Sequence, residues 1–115
     1  MSGKDQRRFP RADQVLEAHY RADGDPTPTW LMMSVQNISA GGLRFRAEDE
    51  LDPGRLLRMK IALPGNPVPM EVRGRIVWKQ MHAAGVTEHG LEFVDLTEQQ
   101  RVHIDQLVQF LDSRT

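Results

Sequence analysis

Two clusters of side chains in this chain have the types and spacing to hold an anion or a purine base. The first is Asn37-Ile38-Ser39-Ala40-Gly41-Gly42. Asn37 and Ser39 are two apart, so on an extended backbone both side chains leave from one face. The glycine pair permits positive φ and lets a ligand come close to backbone N–H groups. An amide, a hydroxyl and exposed backbone donors at the rim of a sheet suit an anion or a nucleobase edge. The same residues equally compose a polar hairpin loop, with Asn and Ser as turn formers. The second cluster is Gln6-Arg7-Arg8-Phe9-Pro10-Arg11. Pro10 biases Phe9 away from helical backbone, and in an extended chain Arg7 and Arg11 project to one side about 13 Å apart, at roughly 3.3 Å per residue. A guanidinium bonds phosphate oxygens or the O6/N7 edge of guanine bidentately and stacks on a base. Read alone, the cluster is also a solvated basic terminus.

The elements that must position these residues are short strands. Leu16, Ala18 and Tyr20 share one face of a strand from Val15 to Tyr20, which ends at the turn Asp23-Gly24-Asp25-Pro26. Thr29 to Gln36 is the second strand, and Leu43-x-Phe45 opens the third after Gly42. A polar loop from Glu48 ends in the turn Asp52-Pro53-Gly54, and Arg55 to Leu63 alternates strictly, with Leu57, Met59, Ile61 and Leu63 on one side. After Pro64-Gly65-Asn66-Pro67 the same period places Val68, Met70, Val72, Gly74, Ile76 and Trp78 inward, and the mid-strand Gly74 predicts a bulge or bend. Gly90 to Val94 is the last strand.

The period then changes. Thr97-Glu98-Gln99-Gln100 has the form of a capping box, and Ile104, Leu107, Val108 and Leu111 give a helix over about 97–112 one apolar face. These elements predict an all-β fold with one C-terminal α-helix: a six-stranded antiparallel β-barrel, closed so that no edge is left unpaired. Residues 1–13 form an arm too poor in apolar side chains to be pinned to the barrel, and residues 14–115 form the single domain.

Composition narrows the function. The 115 residues carry 15 Lys plus Arg against 16 Asp plus Glu, a formal charge of −1 that provides no global field for a nucleic-acid polymer or an anionic membrane. The absence of cysteine excludes disulfides and thiolate metal sites and fits a reducing cytoplasm. The polar start runs into no apolar leader, and no apolar run is long enough to span a membrane. His19, His82, His89 and His103 are scattered without metal-site spacing and read as surface or strand histidines. No nucleophile elbow, phosphate-binding loop or dinucleotide fingerprint occurs, so the chain reads as a non-enzyme without cofactor. An RNA-binding barrel is the remaining nucleic-acid option, and 6% aromatic content argues against it.

Arg7-x-x-x-Arg11, then Asn37-x-Ser39-x-x-Gly42, then six strands and a helix resemble the PilZ domain family of bacterial receptors for cyclic di-GMP, over about residues 6 to 111. Both fixed patterns of the family are matched at every position. The resemblance implies a split-barrel fold in which Arg7 and Arg11 hold phosphate and guanine, Asn37 reads a guanine edge, Ser39 bonds phosphate and Gly42 leaves room for the base. Arg8 is an accessory contact by the same resemblance, and Gly41 belongs to the loop. It further implies a stand-alone cytoplasmic adaptor that changes conformation on binding cyclic di-GMP and acts on a protein partner. The alternative within the resemblance is a PilZ-like interaction module that does not bind the dinucleotide.

Overall fold

Strict alternation of apolar and polar residues is what builds this protein. In the computed structural model, which describes residues 16–26, 29–63 and 65–112, six strands form an antiparallel barrel: β1 (Glu17–Ala22), β2 (Leu31–Ile38), β3 (Gly42–Ala47), β4 (Leu56–Ile61), β5 (Met70–Met81) and β6 (Thr87–Val94). Their order round the barrel is β1-β2-β3-β6-β5-β4, and β4 pairs back on β1 to close it. In β4 every second side chain is buried, with Leu57, Met59 and Ile61 fully sequestered. Each such side chain contributes about 1.5–3 kcal/mol by leaving water. Leu16, Ala18, Tyr20, Val35, Leu43 and Phe45 meet them from the other strands, so the interior is filled with side chains rather than open.

Helix α1 (Glu98–Asp112) packs on this barrel through Ile104, Leu107 and Leu111, with Val108 half-buried beside them. Its start is fixed by reciprocal hydrogen bonds. The Gln100 N–H donates to Thr97 Oγ1 at 3.1 Å, and the Thr97 N–H donates to Gln100 Oε1 at 3.0 Å. Gln100 Nε2 also donates to the Glu71 carbonyl at 2.9 Å, which ties the helix start to β5. The capping box read from the sequence is therefore formed, and it has a tertiary contact as well.

The readings of β5 and β6 need correction. β5 begins at Met70, leaving Val68 outside it and exposed, and continues to Met81. The ladder passes through Gly74 in register, opposite Leu57 on one side and Phe93 on the other, so no bulge falls at Gly74. Its missing Cβ instead makes room for Leu91, whose Cδ2 would lie 2.3 Å from such an atom. The bulge falls between Ile76 and Trp78, where the register shifts. One extra residue inverts the alternation, so Val77 and Trp78 both come to the outside and Trp78 leaves the core position predicted for it. β6 is longer at its start than Gly90–Val94, because Thr87 and His89 continue the buried phase as polar residues that alternation of apolar types does not mark.

The arm of residues 1–13, with Arg7, Arg8 and Arg11, and the first residue of the predicted opening strand, Val15, lie outside the described residues. Among the described residues no helix is long and apolar enough to cross a membrane.

Candidate functional site

The loop between β2 and β3 is built by its own polar atoms. The Ser39 N–H donates to the Gly42 carbonyl at 2.9 Å, and the Gly41 N–H reaches Ser39 Oγ at 3.3 Å. Ser39 Oγ thus accepts from the loop, and its own O–H is left to donate outward. The Phe93 N–H donates to the Gly41 carbonyl at 3.0 Å and fastens the loop to β6. Upstream, a register shift between Val35 and Asn37 inserts one residue, Gln36, whose Nε2 donates to Ser34 Oγ at 3.0 Å. Asn37 and Ser39 are both exposed on either side of the buried Ile38, so the two functional groups share the outer face as the sequence spacing requires.

Neither glycine of the pair takes positive φ. Gly41 has free space, with a Cβ there meeting only Ser39 Oγ at 4.0 Å. Gly42 is different: a Cβ would lie 2.0 Å from the Leu91 carbonyl oxygen of β6, the strand it pairs with. The glycine pair therefore provides a close approach of two strands rather than a left-handed turn.

A shallow cavity of about 250 Å³ opens beside the loop. Asn37, Ser39, Gly41 and Gly42 form one wall, Val77, Trp78, Gly90 and Leu91 the other, with Leu43 and Arg44 between them. Trp78 owes its place to Gly90, where a Cβ would fall 2.0 Å from the indole Nε1. The ring lies across that glycine and remains 40% exposed. Arg44 brings a guanidinium to the cavity, and its Nε sits 3.2 Å from Glu88 Oε2. An amide, a hydroxyl, an indole and a guanidinium thus converge on one recess, a donor set suited to an aromatic anion. Sequence reasoning did not find Trp78, Gly90 or Arg44 for this recess. The bulge that brings Trp78 out leaves no mark in the alternation, while a glycine opposite a tryptophan is the one readable trace.

β1 runs antiparallel to β2, with Glu17 opposite Ser34 and Tyr20 opposite Leu31. The end of β1 that receives the preceding chain is therefore the end of β2 that carries Asn37. Asn37, Ser39, Gly41 and Gly42 are brought together, whereas Arg7, Arg8 and Arg11 fall outside the described residues.

Of the histidines, His89 is the strand one on β6 and is fully buried. It stacks on Phe45 with centroids 4.8 Å apart, and its Nε2 accepts the Leu51 N–H at 3.0 Å. That bond requires the neutral ring with its proton on Nδ1, for which no partner occurs among the described residues. Burial, reinforced by Lys79, lowers its pKa. Lys79 itself bonds Glu50 and Asp52, each at 2.6 Å, and the Tyr20 hydroxyl donates to Asp49 at 2.8 Å. Burial and that acceptor raise the phenol pKa. Loop 48–52 is held to the barrel at four successive residues. No three His, Asp or Glu side chains form a metal cage among the described residues.

The chain is thus a closed six-stranded barrel with a C-terminal helix, carrying an Asn-x-Ser-x-x-Gly loop at its rim. The model of the PilZ domain matches residues 5–110, and the chain belongs to that family. None of the curated proteins compared matches it. The fold is similar to the PilZ domain with c-di-GMP of YcgR from Escherichia coli, with a TM-score of 0.65 and 10% identity over 88% of this chain and 85% of that one. It is also similar to the Bacillus subtilis inhibitor of motility MotI/DgrA, with a TM-score of 0.64 and 19% identity over 91% of this chain. The chain spans about half, 51%, of the length of that second protein.

Proposed function

We propose that this protein is a receptor for cyclic di-GMP that acts as an adaptor, without catalysis of its own. The observation that carries the reading is the recess itself. Asn37 and Ser39 face outward together, Trp78 offers an indole face, and the chain preceding β1 enters at the same end of β2. A cyclic dinucleotide has two guanines and two phosphates. Asn37 is suited to a purine edge, the Ser39 hydroxyl to a phosphate oxygen, and Trp78 to stacking. The arm would supply bidentate guanidiniums from Arg7 and Arg11, with Arg8 as an accessory. Ordering the arm costs about 1–2 kcal/mol per residue fixed, which the charged bonds must exceed. The closed arm and ligand then present a new surface to a protein partner. The similar PilZ domain of YcgR from Escherichia coli occurs with c-di-GMP, which supports the same ligand here.

Calorimetric titration tests this, with GTP and a short single-stranded RNA as controls. Cyclic di-GMP is expected to bind far more tightly than either, because the site is matched to two guanines and two phosphates at fixed separation. Arg11→Ala should cost about tenfold or more, the equivalent of one charged hydrogen bond, and Ser39→Ala less. Equal affinity for all three ligands would reduce the site to a generic anion patch. No binding of cyclic di-GMP would leave a module that works by protein contact alone.

A further inference from the structure

A cavity larger than the recess beside Asn37, about 760 Å³, forms a groove further along the outer face. Leu31, Met32 and Val86 line it together with the Tyr20 ring, and Glu48 and Asp49 stand on its rim. Met32 is 79% exposed and Leu31 42%, with Met81 at 68% beside His82. Leu31 and Met32, two large apolar side chains held out in water side by side, are costly unless something covers them. The groove is also preformed, because Asp49 is bonded to Tyr20 and Leu51 to His89 in the loop that makes its wall. Two rim carboxylates face a single guanidinium, that of Arg46, so the local balance is acidic.

The groove and the recess are joined by a chain of polar contacts. Arg44 lines the recess and pairs with Glu88; the other oxygen of Glu88, Oε1, lies 3.0 Å from His82 Nε2; and His82 lines the groove. Glu88 is only 13% exposed, so it depends on these two partners for much of its solvation. His82 begins the β5–β6 turn, where Ala84 sits at φ 69°, a conformation costly for a residue with a Cβ. The His82 N–H donates to the Val86 carbonyl at 2.8 Å and closes this turn, so the Glu88 contact sets the orientation of the His82 ring at the groove.

We propose that this groove docks a segment of a partner protein carrying apolar side chains flanked by lysine or arginine, and that the Arg44–Glu88–His82 chain makes docking depend on the ligand in the recess. Apolar anchors would seat on Leu31, Met32 and Val86, and the cations on Glu48 and Asp49. The ligand dependence rests on the cyclic di-GMP reading. A phosphate and Glu88 compete for the same guanidinium, and drawing Arg44 away lets Glu88 and the His82 ring it contacts rearrange at the groove.

The test is fluorescence anisotropy on the full chain with a labelled twelve-residue peptide of leucine and lysine in amphipathic spacing. Leucine–glutamate and serine–lysine peptides serve as comparisons. The leucine–lysine peptide should bind at least about tenfold more tightly than either, and Met32→Asp or Glu48→Lys should each weaken it by about tenfold. Both substituted residues are exposed, so far-UV circular dichroism should be unchanged. Equal binding to parent and both variants overturns the groove. Saturating cyclic di-GMP should shift the peptide affinity by roughly fivefold or more in the parent and not in Glu88→Gln. An unshifted affinity in a protein that calorimetry shows to bind cyclic di-GMP overturns the coupling. A protein that binds no cyclic di-GMP overturns the receptor reading, and the peptide comparison then decides the groove by itself.

Discussion

Gly42→Ala, measured beside Gly41→Ala, separates two reasons for a glycine in the loop. A methyl carbon at Gly42 would lie 2.0 Å from the Leu91 carbonyl oxygen and 3.0 Å from the Glu92 Cα. Ordinary contact needs more than 3 Å, so β3 and β6 must part by about 1 Å or more where Gly42 faces Glu92. That movement stretches the bond from Phe93 to the Gly41 carbonyl and the bond inside the loop from Ser39 to Gly42, now 3.0 and 2.9 Å. Losing one such bond costs about 1 kcal/mol, and forcing a methyl into packed surroundings about 1–3 kcal/mol. The expected destabilisation is about 2–4 kcal/mol, a fall of roughly 8–20 °C in Tm for a domain of this size. Gly41→Ala meets nothing closer than 4.0 Å at ordinary φ and should stay within about 1 kcal/mol of the parent. Thermal and urea unfolding followed by circular dichroism measure both. A Gly42→Ala protein that melts within about 2 °C of the parent refutes the strand-contact argument. If that stable protein has also lost cyclic di-GMP, the glycine is there to leave room for a base.

Burial holds the His89 pKa below its ordinary value, so the unfolded chain binds a proton that the folded one refuses. The resulting stability is complete above about pH 6.5 and is lost as pH falls below it, by at most about 1.4 kcal/mol per pH unit. The urea midpoint should therefore drop between pH 7 and 5.5 in the parent, and a drop of the same size in His89→Phe would show that another group is responsible. Trp78→Ala removes a half-exposed ring from the recess and should weaken cyclic di-GMP by about tenfold, the loss of one stacked base, with the Tm nearly unchanged; a large fall in Tm would make the indole a structural cover for Gly90. Thr97→Ala removes the acceptor for the Gln100 N–H and should cost about 1 kcal/mol in urea unfolding, and no measurable loss would mean that Gln100, through its bond to Glu71, fixes the helix start without the cap.

The barrel and its core were legible because burial follows a period of two and apolar residues mark it. Leu57, Met59, Ile61, Ile104 and Leu107 lie where alternation or helical spacing places them. The capping box was legible because it is local chemistry between Thr97 and Gln100. Features set by partners on other strands were not. Trp78 moved outward because one residue, Val77, is extra relative to β6, and Gly74 is required by a leucine on the neighbouring strand. His89 is buried because Leu51 and Phe45, remote in sequence, surround a ring that composition marks as polar. In the candidate site, Asn37, Ser39 and Gly42 were readable from fixed spacing along one segment. Trp78 and Gly90 come from two other strands, and only the barrel register brings them there, whereas Arg44 follows Gly42 on β3.

The filled interior has a consequence for how such a domain acquires new partners. Phe45, Met59, Ile61 and Ile76 leave no lumen, so nothing can be recognised from within, and a change of core residue alters stability before it alters specificity. Selection for a new ligand or partner is confined to outward positions, alternate residues of each strand and the turns between them. Those positions can drift almost independently of the inward set, since an exposed substitution rarely disturbs folding. Two chains can then share this barrel while agreeing at only 10% or 19% of positions.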